Sequence, residues 1–450
     1  MTAGQFPQAF IKREQAHLGD QWKDFEEAHR QSPPVSIRFN PRKAKHIEGT
    51  PIPWTTDGRY LEQRPSFTLD PSFHGGKYYV QEASSMFIEQ AFRQHVASNE
   101  SLVVLDLCSA PGGKSTHLLS MMNDRSLLVS NEVIQSRSSV VSENLKKWGH
   151  CNVVVTNNDP KDFQRLEGFF DVIVVDAPCS GEGLFRKDPS ALNEWSEEAV
   201  ELCSRRQRRI LTDVWPALKP GGILIYSTCT YSIEENESNL NWVNEGYPCE
   251  FLQINIESNW GIQEVSAKSE IGYRCFPHLV KGEGFFLSVL RKLDGPTLKH
   301  VRTKTKLQLP STNISSALQD WILNASDKFF FVHSDRVQFF PAEKVAEVQR
   351  IVENLRVLFV GTSAATIKHD KLVPDHALAL SIDLNRDFFN TIPLDVTSSL
   401  QYLRKDAVPF PSVEKGFALI THEDIGLGWV NVLDNRVNNL YPSEWRIRIR

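Results

Sequence analysis

The chain has 450 residues, 41% apolar and 23% charged, which argues against a disordered or fibrous polymer and for a folded, water-soluble protein. No stretch approaches eighteen uncharged apolar residues, and Lys12, Arg13, Glu14 and Asp20 stand where a secretory leader would be apolar, so neither a membrane span nor export is expected and the cytoplasm is the expected compartment. The net charge of −5 is uneven: residues 101–293 carry 25 acidic and 19 basic side chains while the flanks are balanced, so charge neither favours nor opposes a polyanionic partner.

At this length two to four domains are expected. Residues 1–80 are broken by Pro33, Pro34, Pro51, Pro53, Pro65 and Pro71, and within them 34–40 alternates as a strand, with Val35, Ile37 and Phe39 on one face. Helical spacing over 84–92 leads into an apolar run at 102–107. From there the pattern is regular: a helix from about Lys114, a strand at 127–131, a helix at 134–148 stopped by Gly149, and strands at 152–156 and 171–176. A helix capped by Ser196 and strands at 222–229 and 285–291 follow. Such β-α repeats predict an α/β, doubly wound, Rossmann-like parallel sheet. The break at 294–297 and the basic run at 299–306 read as a linker, and the remainder reads as small and mixed or β-rich. The expected division is an accessory α+β region at 1–95, the sheet domain at 96–293, a linker with a small accessory domain at 294–374, and a terminal module at 375–450.

Three of the predicted strands end in chemistry-bearing residues, and open α/β sheets gather ligands outside the carboxyl ends of their strands. The first opens into Cys108, Ser109, Ala110, Pro111, Gly112, Gly113 and Lys114. Glycines there let the backbone pass close to a ligand, and a Cβ at Gly112 or Gly113 is expected to fill that space. The spacing is neither Gly-x-Gly-x-x-Gly nor a Walker loop, which disfavours a dinucleotide or a triphosphate. Glu132, after the second strand, stands where an acid grips ribose hydroxyls, and Asp159, after the third, where one faces an adenine edge. Together they predict a nucleoside cofactor.

The other two strand ends carry Asp176-Ala-Pro-Cys179 and Ser227-Thr-Cys229. Seven cysteines, an odd number with no Cys-x-x-Cys, argue for free thiols and against a disulfide framework or a structural zinc. Pyrimidine C5 becomes nucleophilic only after a thiolate adds at C6. An acid near N3 then neutralises charge in the ring, and a base removes the C5 proton so that the thiol departs. One carboxylate and one or two activated thiols beside a nucleoside cofactor meet those needs. The residues alone leave the two thiols near equals.

The motifs D-x-C-x-A-P-G-G-K, D-A-P-C-S-G and S-T-C stand unbroken, and with residues 79–86 and 274–286 the chain resembles the Nol/Nop/Sun family of RNA cytosine-5 methyltransferases, in its bacterial branch acting on 16S ribosomal RNA. The resemblance is strong over 35–293 and weaker over 375–450, where that branch carries a PUA-like RNA-binding module. It implies S-adenosyl-L-methionine as cofactor, RNA as partner within the small subunit, and a monomer. It implies that Cys108 to Lys114, Glu132, Asp159 and Asp176 contact the cofactor or the target base, that Cys229 is the nucleophile, and that Cys179 assists product release. A chain ending near Leu293 is then expected to keep its cofactor site and lose its natural substrate. Alternatives are a transfer-RNA substrate, DNA methylation with Cys179 attacking instead, or an RNA-binding ribosome-assembly factor without turnover.

Other features read more blandly. Arg205, Arg206, Arg208 and Arg209 form a solvated helix face with no aromatic among them, and His278 is a packed or surface histidine. Arg38 and Asn40 resemble a family segment near the RNA entry, and as a lone pair read as surface polars. Arg446, Arg448 and Arg450 alternate as one face of a strand, for phosphate contact or edge protection.

Overall fold

The computed structural model describes residues 6–97, 99–267, 269–295, 307–369, 371–410 and 414–449. The basic run at 299–306 and Arg450 lie outside the described residues. No described helix is long and apolar enough to cross a membrane.

The chain opens with helices Gln8–Leu18 and Trp22–Arg30, which the sequence reading missed. Phe10, Trp22 and Phe25 bury against Phe185, Trp195 and Tyr231 of the following domain, so the pair is held by tertiary packing more than by intrinsic helix preference. The alternating segment forms strand Val35–Phe39 in the middle of an antiparallel four-stranded sheet. Ile37 and Phe39 pack with Phe67 and Tyr78 on one face.

Residues 103–292 build the predicted doubly wound sheet. Its strands are β1 (Val103–Asp106), β2 (Leu127–Asn131), β3 (Val153–Thr156), β4 (Phe170–Asp176) and β5 (Leu218–Thr228). They continue as β6 (Gln263–Ala267), β7 (Glu270–Cys275) and β8 (Phe285–Lys292). The short strand Cys249–Phe251 pairs with β8, and a tenth strand, β9 (Val357–Val360), comes from far downstream. The order is β6-β7-β8-β5-β4-β1-β2-β3-β9. The neighbours among β1 to β5 are parallel, whereas β8 and β9 run antiparallel to β5 and β3.

Burial on both faces explains the near-continuous apolar runs. Val104, Leu128 and Val174 point to a core shared with helices Ile88–His95, Gly113–Met121 and Gln135–Trp148. Val103, Leu105, Val129 and Val175 point to the other, shared with helix Glu197–Val214. That helix begins as expected, Ser196 Oγ accepting from the Ala199 amide at 3.1 Å.

The doubly wound sheet domain is not complete at residue 293. Phe331, Phe340, Val348, Ile351 and Val360, all buried, belong to its second core, and β9 covers the edge of β3. Beyond these, Lys328–Pro374 supplies one antiparallel four-stranded sheet and Asn390–Asn439 a second, mixed one. Arg446 and Arg448 are exposed but lie outside any strand, so the expected strand face does not form; only Ile447 between them is buried.

Candidate active site

Strand order reverses between β1 and β4, which are adjacent and parallel. The Gly-rich loop leaves β1 there and the Cys179 loop leaves β4, so both face one crevice at the carboxyl edge. The first loop is pinned to the end of β2. Ser109 donates to the Asn131 carbonyl from its amide and from its hydroxyl, each at 2.9 Å, and the Ala110 amide reaches Glu132 Oε2 at 3.3 Å. On its outer side Asn144 Nδ2 holds the Pro111 carbonyl at 2.8 Å. Gly112 has φ of +107°, a left-handed conformation that side chains resist.

Glu132 closes its other oxygen on the Ile134 amide at 2.8 Å. Asp159 caps the turn Pro160–Leu166 through the Lys161 amide at 3.2 Å and lies 3.6 Å from Arg209. Behind the loop stands an acid the sequence reading did not select, Asp106, the last residue of β1. Ser115 Oγ donates to its Oδ2 at 2.5 Å, while its Oδ1 is buried with no hydrogen-bond partner among the described residues. Burial pushes this carboxyl up to about 7, and the charge on Asp176 adds to the effect. A free acceptor, loop amides and two carboxylates after successive strands fit a nucleoside with a cationic amino-acid tail.

The second half of the crevice holds the thiols. Cys179 and Cys229, both half-buried and free, lie with sulfurs 3.1 Å apart. Lys114 Nζ pairs with Asp176 Oδ2 at 2.8 Å, and Ser227 Oγ donates to Asp176 Oδ1 at 2.8 Å. Burial alone would lower the Lys114 ammonium, but Asp176, with Cys229 and Asp106, outweighs it and holds Lys114 above the ordinary lysine range. Cys179 faces the opposite charge. Its contact with Cys229, then burial, then the carboxylate of Glu235, hold its thiol well above the ordinary range.

Glu235 organises the Cys179 loop. It accepts from the Ser180 amide at 3.0 Å, from Ser180 Oγ at 2.5 Å and from Gln207 Nε2 at 2.7 Å, and Gln207 also holds the Pro178 carbonyl at 3.0 Å. Burial, with Glu182 nearby, raises Glu235 to about 7 against those hydrogen bonds. The Cys229 carbonyl is fixed by the Gly183 amide at 2.8 Å. Ser180 stands in the D-A-P-C-S-G motif, whereas Glu235 and Gln207 had no signal in the sequence beyond lying near a cysteine or on a helix.

All the predicted site residues therefore line one edge of the sheet, but other expectations shift. Arg38 and Asn40 are fully buried, because the polar face of their strand lies on the catalytic domain; Asn40 Nδ2 donates to the Trp148 carbonyl at 2.9 Å. Arg205, Arg206 and Arg209 are exposed as expected, while Arg208 sits over the Trp242 ring at 5.7 Å, an aromatic supplied by the neighbouring helix. His278 bonds Gln21 Oε1 at 3.0 Å and packs on Phe25 and Phe276.

The two loop glycines differ. A Cβ at Gly112 would come no closer than 3.5 Å to Asn144 Cβ, so φ and not space makes it glycine; one at Gly113 would meet the Tyr79 ring at 3.3 Å. Gly112→Val is expected to abolish cofactor binding in calorimetry, since a β-branched residue at this φ costs about 1–3 kcal/mol unless the loop rebuilds. Gly113→Ala is expected to weaken binding only modestly, and equal losses for both would show that crowding governs the pair.

Three family models match in succession: the N-terminal domain of 16S rRNA methyltransferase RsmF over residues 6–83, 16S rRNA methyltransferase RsmB/F over 94–291, and the methyltransferase RsmF PUA domain over 389–447. A ribosomal RNA small subunit methyltransferase F from Shewanella loihica is 31% identical over 420 residues, covering 89% of this chain and 84% of its own. One from Escherichia coli O157:H7 is also 31% identical, over 418 residues, covering 88% and 84%. Among solved structures, a methyltransferase homologue from Pyrococcus horikoshii superposes with a TM-score of 0.55 at 28% identity, over 64% of this chain and 96% of that one. With its three regions matched in order and this identity over most of its length, the chain belongs to the family of ribosomal RNA small subunit methyltransferase F.

Proposed function

We propose that the protein methylates C5 of a cytosine in 16S ribosomal RNA, with S-adenosylmethionine as methyl donor and Cys229 as the nucleophile. The observation that carries the assignment of the thiols is their unequal electrostatic setting: 3.1 Å apart, one faces the Lys114 ammonium and the other Glu235. Cys179, held well above the ordinary thiol range by its contact with Cys229, by burial and by Glu235, keeps its proton, which leaves Cys229 for the attack.

When bound, S-adenosylmethionine supplies an electrophilic methyl group. Loop residues 108–114 with Glu132 and Asp159 would hold it, and Asp106 Oδ1 offers a free acceptor for its ammonium. The Cys229 thiolate adds to C6 of the target base, so that the C5–C6 π electrons become available at C5. Charge building at N3 needs a proton, and Asp176, paired with the Lys114 ammonium and accepting from Ser227, would relay the Lys114 proton to it. After methyl transfer C5 carries both the new methyl group and its original hydrogen. Loss of that proton to a water returns the electrons to C5–C6 and expels Cys229, and the protonated Cys179 thiol, 3.1 Å away, assists release by hydrogen-bonding the departing sulfur. The base must leave its stack to reach the crevice, and the family's N-terminal and PUA regions flank it for RNA docking.

Bisulfite sequencing of total RNA from a deletion strain tests the reading. One or more 16S positions are expected to lose their protection from conversion, and complementation with Cys229→Ala should not restore it. Loss of protection in a transfer RNA, with 16S unchanged, would move the substrate; no change anywhere would leave an RNA-binding factor.

A further inference from the structure

Arg38 is an expensive residue in its place. It is fully buried, and its acceptors are uncharged oxygens: Gln81 Oε1 at 3.0 Å, Thr116 Oγ1 at 2.7 Å, the Gly113 carbonyl at 3.3 Å and Ser120 Oγ at 3.3 Å. Its guanidinium also stacks on the Trp148 ring at 4.5 Å. A buried cation without a directly bonded carboxylate is not retained for stability, since an apolar residue of similar size packs there at lower cost. Its contacts show what it holds. Gly113, Thr116 and Ser120 lie on the loop and helix that follow β1, and Trp148 ends the helix that follows Glu132. Those are the two helices behind the cofactor loop and the ribose acid. The neighbouring strand adds Tyr79, against which a Cβ on Gly113 would press at 3.3 Å.

We infer that Arg38 is a positioning residue for the cofactor: from the N-terminal sheet it sets the spacing of the two cofactor-bearing helices and aims the Gly113 carbonyl. The N-terminal domain thus forms the rear wall of the cofactor site as well as an accessory region. Planar, forked donors are required, because one ammonium cannot reach Gln81, Thr116 and the Gly113 carbonyl while stacking on Trp148. The inference rests on residues 108–114 being the cofactor loop.

Calorimetry with S-adenosylhomocysteine on the full chain tests it, using Arg38→Lys, Thr116→Val and, as a control on the loop, Gly112→Val. Thr116→Val removes the shortest acceptor with almost no change of volume, so it keeps the test alive if Arg38→Lys folds poorly. Arg38→Lys is expected to bind at full stoichiometry with Kd raised on the order of tenfold, and Thr116→Val with a smaller rise, as lost hydrogen bonds to a charged group imply. KM for S-adenosylmethionine should rise in parallel while kcat at saturation and KM for RNA hold. Unchanged Kd in both variants, with Gly112→Val unable to bind, overturns the role of Arg38. Reduced stoichiometry at unchanged Kd with a lower Tm also overturns it, because that pattern belongs to a residue that only stabilises the fold. Unchanged Kd in all three removes the loop from the site and the inference with it.

Discussion

Cys229→Ala is expected to give no turnover and no RNA adduct, because C5 is never activated, whereas Cys179→Ala should form the Cys229 adduct and fail to resolve it. A protein–RNA species stable to denaturing electrophoresis should therefore accumulate only with Cys179→Ala, cofactor and substrate RNA. Removing a nucleophile costs far more than removing any one hydrogen bond in the site, so the effect should reach the background of the assay. Because the sulfurs lie 3.1 Å apart, position alone does not separate their roles, and the paired variants do. An adduct carried by Cys229→Ala instead would reverse the roles and put Cys179 on C6.

A chain ending at Leu293 is expected to lose its fold, where the sequence alone suggested a cofactor-binding fragment. Phe340, Val348, Ile351 and Val360 are buried in the catalytic core, and each such side chain contributes about 1.5–3 kcal/mol. Together they are comparable with the whole net stability of a domain, about 5–15 kcal/mol. The truncated protein should show no cooperative melting and no stabilisation by S-adenosylhomocysteine. A chain ending after Val360 and its turn should recover part of both. A sharp transition in the shorter chain, raised by ligand, would show that the first 293 residues are self-sufficient.

What was legible in the sequence was local. The runs at 102–107, 127–131 and 171–176 declared themselves by apolar content, and the residues that follow them carry the chemistry, so the fold and the crevice could both be read from strand ends. Ser196 and Gly149 marked helix ends by their own preferences. What escaped was set by distant partners. Arg38 alternates as a surface residue should, and only the docking of its sheet on helix Gly113–Met121 buries it. Glu235 and Gln207 sit far in sequence from Cys179, and nothing in their neighbourhoods marks them as supports for its loop. The four residues of β9 are too short a run to be assigned to a sheet whose other strands end at Lys292, across the linker.

That last strand has a consequence for how the protein is made. Val357 pairs with Thr156 and Val360 with Val154, so during synthesis the apolar edge of β3 waits unpaired until the chain has passed the whole catalytic domain. Pairing so remote in sequence is slow to form and leaves an edge open to other chains meanwhile. Yield on expression, and its dependence on temperature and on chaperones, should therefore respond more sharply to changes in Val357, Phe359 and Val360 than to changes in the active-site loops.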